Sequence, residues 1–416
     1  MPTERTLRGR LLTPRADAIA LDRWNDAIVD IDSEGRVLSV TAAAPDCPIA
    51  ESHPGCVLMP GLVDAHVHFP QTRVIGSASG PLLEWLTRSV FPEEARFSAV
   101  EYARVVAREF CDAMIAQGTT CAAIYGSSHP IASGALFQEL DQRGLRATLG
   151  PALMDRGAPA NVLLEAGAAL EACTMLVERW HGHDHGRLRM SIVPRFALSC
   201  TPELMRGAAD LAARHGLVIQ THISENRGEI EATAAAFPSA RDYLAVYEEH
   251  GLVGERTILA HCIWLSDSEW DRVAVAKSSV AHCPDSNFFL GSGRMDLRCP
   301  QSREIAVGLG TDIGAGRSFS VRRVAASAYD NALVVGATVD AESLIWLATL
   351  GGARALGLGG VIGRIATGYD ADLIAVPVPE VSDAGVLDAL VFRHDAPPVT
   401  AAYVRGTPLT PSTARP

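Results

Sequence analysis

Two histidines set two residues apart are the first residues in this chain that could do chemistry. His66 and His68 close the apolar run Val57-Leu58-Met59-Pro60-Gly61-Leu62-Val63-Asp64-Ala65. An extended segment projects residues i and i+2 to one face, so both imidazoles can reach a single ion. Far downstream stand His222, with Glu225 three residues on, and Asp312 in Gly308-Leu309-Gly310-Thr311-Asp312. Three imidazoles and a carboxylate suit zinc or another first-row divalent metal, and the spacing alone does not choose zinc over iron. A catalytic site of this kind keeps a position for water, whose pKa the metal lowers from about 15.7 toward roughly 7.

Glu225 supplies the proton chemistry in this reading. In Thr221-His222-Ile223-Ser224-Glu225-Asn226, the loop after a ligand can fold a carboxylate over the attacking water, to take its proton and return one to a nitrogen. His261, in Ile258-Leu259-Ala260-His261-Cys262, is either a fifth ligand or a hydrogen-bond partner of the attacking oxygen. The second role is preferred because four donors already suffice. Asp312 can bind the metal and orient the water, and buried there it needs a metal or good donors, since an unpaired buried charge is costly. The denser run His181-Gly182-His183-Asp184-His185 lies between Arg179-Trp180 and Gly186-Arg187 and reads as a solvated loop. His129, His215, His250 and His282 receive no metal role, although His129 and His282 could lie near a pocket.

The elements that must position these residues alternate along the middle of the chain. Strand candidates end near Val63, Ile124, Leu149, Val193, Thr221, Ala260, Ala281 and Gly310. Helical patterns fall between several of them, at 98–117, 203–214 and 323–336. Eight such runs with crossovers suggest a (β/α)8 barrel, and periodicity alone also accommodates an open doubly wound sheet. His66, His68, His222, His261 and Asp312 follow different apolar runs, and a barrel gathers such strand ends around one mouth. Both termini carry short β-like runs, Ala27–Ile31 and Arg36–Val40 around a Ser33-Glu34-Gly35 turn, then Asp372–Val376 and Thr400–Val404. The expected organisation is residues 1–56 and 365–416 in one small flanking β domain and 57–364 in the barrel, with an irregular tail beyond Gly406.

Composition narrows the partners. The chain has 416 residues, 48% of them hydrophobic, enough for a large core. A formal net charge of -12 without a Lys/Arg block disfavours a nucleic-acid substrate and fits a small neutral one. Nine widely spaced cysteines without a CxxC pair read as free thiols in a reducing compartment. With no secretory h-region and no uninterrupted apolar run of bilayer length, a cytoplasmic protein that does not enter the membrane is the plain expectation.

Several longer stretches resemble the guanine deaminases of the amidohydrolase superfamily. They are Pro60 to His68, Pro81-Leu82-Leu83-Glu84-Trp85-Leu86, Phe91-Pro92-Glu93-Glu94-Ala95-Arg96-Phe97 and Pro194-Arg195-Phe196-Ala197-Leu198-Ser199-Cys200, followed by His222 to Asn226, Ala281-His282-Cys283-Pro284-Asp285-Ser286-Asn287 and Gly308 to Asp312. The similarity covers about residues 55–375. It implies a zinc-bearing barrel with an accompanying β domain, hydrolysis of guanine to xanthine and ammonia, and a homodimer. It places one zinc per subunit on His66, His68, His222 and Asp312, makes Glu225 the proton shuttle and His261 a partner of the reacting water, and marks Gln71, Arg195 and Phe196 as purine contacts. Two departures stand out: Ile313-Gly314-Ala315-Gly316-Arg317-Ser318 where relatives tend toward a Gly-Gly segment, and the bulky Ile263-Trp264 pair soon after His261. Competing readings are an aminohydrolase of another flat heterocycle, such as an oxidised guanine or an aminotriazine, a two-metal amide hydrolase, and a non-catalytic barrel scaffold.

Overall fold

The chain begins and ends in the same sheet. The computed structural model describes residues 3–44, 51–78, 80–379, 385–393 and 398–410. Strands β1 (Thr3–Pro14), β2 (Leu21–Asp32), β3 (Val37–Ala42) and β4 (Glu51–Pro60) come first. The barrel strands follow: β5 (Leu62–His68), β6 (Thr119–Tyr125), β7 (Arg146–Gly150), a short β8 (Ala152–Leu153), β9 (Leu188–Pro194), β10 (Val218–Ile223), β11 (Thr257–His261), β12 (Ser279–His282) and β13 (Val307–Leu309). The chain then returns as β14 (Leu373–Pro377), β15 (Ala401–Val404) and β16 (Thr407–Pro408).

The flanking sheet runs β16-β15-β14-β4-β1-β2-β3, so the last three strands join the first four. Leu7, Leu11, Val29, Ile31, Leu58, Leu373 and Tyr403 pack together in its core. The irregular tail expected beyond Gly406 is corrected in part. Thr407–Pro408 pairs antiparallel with Tyr403 and Val404, and residues 411–416 lie outside the described residues.

The second sheet runs β5-β6-β7-β9-β10-β11-β12-β13, with every ladder parallel. Strands such as β6 are buried at every position, as parallel strands covered on both faces must be. β13 meets β5 to close the barrel. Asp312 N–H donates to the His66 carbonyl at 2.8 Å, and a side chain at Gly308 would come within 2.7 Å of the Ala65 Cβ. Glycine at 308 is what lets these two strands approach. The eight strands thus form a nearly closed parallel barrel rather than an open doubly wound sheet.

The outer helices follow from apolar residues at helical spacing. Val100–Ala116 buries Ala103, Val106, Ala107, Phe110, Cys111 and Met114 on one face. Pro202–His215 starts where the Thr201 side chain accepts from Leu204 N–H and stops at Gly216, which is left-handed. One segment, Ala160–Trp180, has the length and apolar composition of a membrane span, which the sequence reading did not anticipate. Its regular helix is only the 15 residues Ala166–Trp180, about 22 Å at 1.5 Å per residue, against roughly 30 Å of bilayer hydrocarbon. Its buried face carries Ala166, Ala169, Cys173, Leu176, Val177 and Trp180. Cys47 lies outside the described residues; the other eight cysteines are free thiols.

Candidate active site

All nine residues singled out from the sequence meet at the carboxyl ends of the barrel strands. His66 and His68 lie on β5, which reaches His68 rather than stopping near Val63. Between Asp64 and Val67 two residues of β5, Ala65 and His66, oppose one of β6, Ala123, a bulge of the kind that re-aims side chains beside active sites. His222 lies on β10, His261 ends β11, and Asp312 follows β13. Ser224, His261, Cys262 and Asp312 all have positive φ without being glycine. Such strained backbone costs on the order of 1–3 kcal/mol per residue and gathers at functional sites.

The donor atoms converge. His68 Nε2 lies 3.1 Å from His66 Nε2 and 3.1 Å from His222 Nε2. Asp312 Oδ1 lies 3.2 Å from both His66 Nε2 and His68 Nε2. A tetrahedral zinc with Zn–N bonds of about 2.0–2.1 Å would space its ligands about 3.3 Å apart. His222 Nδ1 faces the Arg195 carbonyl at 2.6 Å. A carbonyl only accepts, so Nδ1 carries the proton and Nε2 presents its lone pair inward. Burial disfavours charge on all three imidazoles and pushes His68 down to about 3. Burial also opposes ionisation of Asp312, yet its contacts with His66 and His68 prevail and hold the carboxyl well below the ordinary range. Neutral imidazoles around an ionised carboxylate are what a divalent cation requires, so the residues fit one metal ion. His261 offers a nitrogen that falls within 4.8 Å of donor atoms of His66, His222 and Asp312. At 3.9 Å from Asp312 Oδ2 it stands farther out than His68, and the tighter set is the better cradle.

Glu225 and His261 form a second layer above this cradle. Glu225 Oε2 lies 3.5 Å from His261 Nε2, while Oε1 accepts from Ser292 Oγ at 2.9 Å. Burial raises the Glu225 carboxyl to about 7, against the opposing pull of His261. For His261 burial works against the charged form, but Glu225 and Asp312 outweigh it and raise the pKa. Asn287 Oδ1 accepts from His261 Nδ1 at 2.9 Å.

A small cavity opens over these groups, concave and mostly apolar with a few convergent polar groups, as small-molecule sites are. Gln71, Arg195 and Phe196 line it together with Leu82, Trp85 and Leu86. Leu83 instead points outward and is exposed. The Gln71 Oε1 is buried and has no hydrogen-bond partner among the described residues. Gly314 lies against Gln71, whose Oε1 would sit 2.4 Å from a Cβ at that position, so glycine there leaves Gln71 its space. Arg195 is 3% exposed and faces Glu94 at 3.9 Å. Glu94 in turn accepts from Ser127 Oγ and Ser128 N–H.

Several residues of this site were not assigned roles from the sequence. Asp64 accepts from Thr311 N–H at 2.9 Å and from the Thr311 hydroxyl, tying β5 to the end of β13. The Tyr125 ring lies 4.5, 4.6 and 4.7 Å from the rings of His66, His68 and His222. Glu229 accepts from Glu225 N–H at 2.9 Å; its signal was available, since Asn226-x-x-Glu229 is a capping-box spacing. Ser286 donates to Asp312 Oδ2. His282 is buried beside His261 and burial lowers it to about 3, but it does not line the cavity. In the run 181–185, His183 pairs with Asp141 at 3.1 Å on the surface, well apart from the mouth in its hydrogen bonding.

A family model, the amidohydrolase family, matches residues 57–409. The guanine deaminase of Escherichia coli K12 is 38% identical over 333 residues, covering 80% of this chain and 75% of that protein. The human guanine deaminase is 35% identical over 353 residues, covering 82% and 76%. The crystal structure of a guanine deaminase from C. acetobutylicum with bound guanine in the active site superposes with a TM-score of 0.92 at 28% identity, covering 98% of this chain and all of that one. A match of this length and identity to proteins of one kind settles descent: the chain belongs to the guanine deaminases of the amidohydrolase family.

Proposed function

We propose that this chain hydrolyses guanine at C2, consuming water and yielding xanthine and ammonia. One observation carries the reading. A buried carboxylate, Glu225, stands 3.5 Å from His261, over a cradle of three imidazoles and one carboxylate at the floor of a cavity lined by Gln71, Arg195 and Phe196.

His66, His68, His222 and Asp312 would hold one zinc ion per chain. When bound, the ion supplies Lewis acidity that brings water near its ionised form at neutral pH. Glu225 takes the proton of the attacking water and delivers protons to a ring nitrogen and then to the departing amine. His261 donates toward the oxygen on which charge develops at C2, an electrostatic task suited to a dry pocket. Gln71 can both donate to and accept from the purine edge. Arg195 donates to guanine acceptors at any working pH, and Phe196 packs against the flat base. In this reading residues 1–56 and 365–416 form the flanking domain together with residues 57–60, the end of β4, the rest of 57–364 carries the chemistry, and the protein is a cytoplasmic homodimer. Family resemblance supports the dimer, and the free thiols support a reducing compartment; size-exclusion chromatography and cell fractionation would test the two.

The deciding experiment measures xanthine and ammonia from guanine alongside the metal content of the same sample. Stoichiometric xanthine and ammonia with about one zinc per chain is the expected result. A metal-loaded sample that leaves guanine intact while deaminating an oxidised guanine or an aminotriazine would replace this substrate with the alternative. Iron in place of zinc would revise the cofactor and leave the reaction standing.

A further inference from the structure

We propose that Ser292 is a positioning residue for the Glu225 carboxylate, and that the Trp264 indole anchors the turn that carries it. The proposal rests on the proton-carrying role given to Glu225 above. A carboxylate can rotate about its last bond, exchanging its two oxygens, and only one orientation aims a chosen oxygen at the reacting centre. Here Oε1 is occupied by the Ser292 hydroxyl at 2.9 Å, which leaves Oε2 turned toward His261 Nε2 at 3.5 Å. Ser292 is 3% exposed, so water does not readily replace its hydrogen bond.

The turn carrying Ser292 has few fixings of its own. It follows the short helix Pro284–Phe289, and Ser292 N–H donates to the Asn287 carbonyl at 2.9 Å. The same Asn287 accepts from His261 Nδ1 through its side chain. One short segment therefore touches both proton-handling groups. From the other side, Trp264 Nε1–H donates to the Ser292 carbonyl at 2.9 Å. Trp264 N–H also donates to the Ser224 carbonyl at 3.1 Å, tying it to the residue before Glu225. A Cβ at Gly293 would meet the Trp264 ring at 2.7 Å, so glycine there lets the indole lie flush against the turn. Outside, the Arg227 guanidinium lies 3.9 Å from the Trp264 ring centre, within cation–π range. The bulky residue that looked like a departure after His261 thus links the protein surface to the proton carrier through two hydrogen bonds. Burial raises the Glu225 carboxyl and the Ser292 hydrogen bond pulls it the other way, as a donor to the ionised form should.

The test uses the metal-loaded full chain. In Ser292→Ala, kcat for guanine should fall at least tenfold with KM within twofold of native, because binding contacts are untouched while a proton donor is misaimed by a fraction of an ångström to an ångström, enough to cost up to about 10². Ser292→Thr, which keeps the hydroxyl, should recover most of that loss. Trp264→Phe, which keeps the ring under Arg227 and removes the N–H, should lower kcat several-fold. Independently of turnover, the Glu225 carboxylate infrared band, obtained by subtracting the Glu225→Gln spectrum, should shift in Ser292→Ala. An unmoved band with native kcat in Ser292→Ala would overturn the Ser292 role, and equal losses in the Ala and Thr variants would reduce it to packing. Native kcat in Trp264→Phe would overturn the anchor. If the native chain released no ammonia from guanine, the reaction assigned above would fall, and the infrared shift would still decide whether Ser292 holds Glu225.

Discussion

Two buried charged clusters in this barrel are built by opposite rules. At the start of β7, Arg146 donates to Asp372 at 2.8 Å and to Asp370 at 2.7 Å. Arg405 adds a bond to Asp370 at 3.1 Å, and its N–H donates to Asp372 at 2.9 Å. This cluster ties a barrel strand to the returning segment of the flanking sheet, and each charge faces an opposite one. At the mouth, by contrast, His261 Nε2 and Gln71 Oε1 are buried without hydrogen-bond partners among the described residues, three imidazole nitrogens face one another, and the backbone is left-handed at His261 and Asp312. The first cluster spends its hydrogen-bonding capacity on the fold. The second keeps capacity in reserve for a cation, a water and a base, and the surrounding barrel bears the strain.

The contrast can be broken at either end. Stripping the metal with a chelator should take guanine turnover to background, and adding zinc should restore it; turnover that survived with no metal detected would remove the mouth's central claim. Replacing Glu225 by Gln should lower kcat by about 10²–10⁴ while metal content and secondary structure stay native. Full activity in that variant would return Glu225 to the status of an ordinary buried carboxylate. Arg195→Met should act mainly through KM, raising it roughly tenfold or more with metal content unchanged; a matching loss of metal would make the Arg195 side chain a structural support of the site rather than a substrate contact.

At the other cluster, Arg146→Met should destabilise by about 3–5 kcal/mol, the usual consequence of removing one partner from a buried ion cluster. Denaturant unfolding would measure this, and kcat of the folded protein should stay within about twofold. A large kcat loss there would mean the two clusters are coupled through β7. The smallest effect concerns pH. In the metal-free protein the Glu225 carboxyl sits at about 7 because of burial, above its unfolded value. The folded state then holds the proton more tightly, so this group's stabilising contribution is complete below the unfolded pKa and is lost as pH rises toward 7. Glu225→Gln should therefore lose less stability than native protein between pH 5 and 8, read as the difference in melting temperature. Parallel pH profiles for the two proteins would place the Glu225 titration elsewhere.

Much of the mouth was legible because its chemistry is compressed into short motifs. His66 and His68 sit two apart in an extended run, and Glu225 sits three after His222. The partners that hold these groups were not legible. Asp64 is one acidic residue in an apolar strand, and its partner Thr311 lies 247 residues away. Ser292 stands in a plain Gly-Ser-Gly turn whose composition says turn and nothing about Glu225. Tyr125 ends a strand like any other aromatic, and only barrel closure sets its ring against three imidazoles. The tail was misread for a related reason: Thr407–Pro408 is too short to carry a strand pattern, and it is a strand because Tyr403 and Val404 offer it an edge.

Residue type and local spacing alone determined the donor set, the alternation of strands and helices, and the kinship with guanine deaminases, since ligand chemistry and periodicity are properties of short segments. The tertiary structure alone decided that the barrel closes between β13 and β5 and which oxygen of Glu225 faces the centre. It also decided which buried charges are fully paired and which are left open. Those outcomes depend on distances between residues hundreds of positions apart, and such distances exist only after the chain has folded.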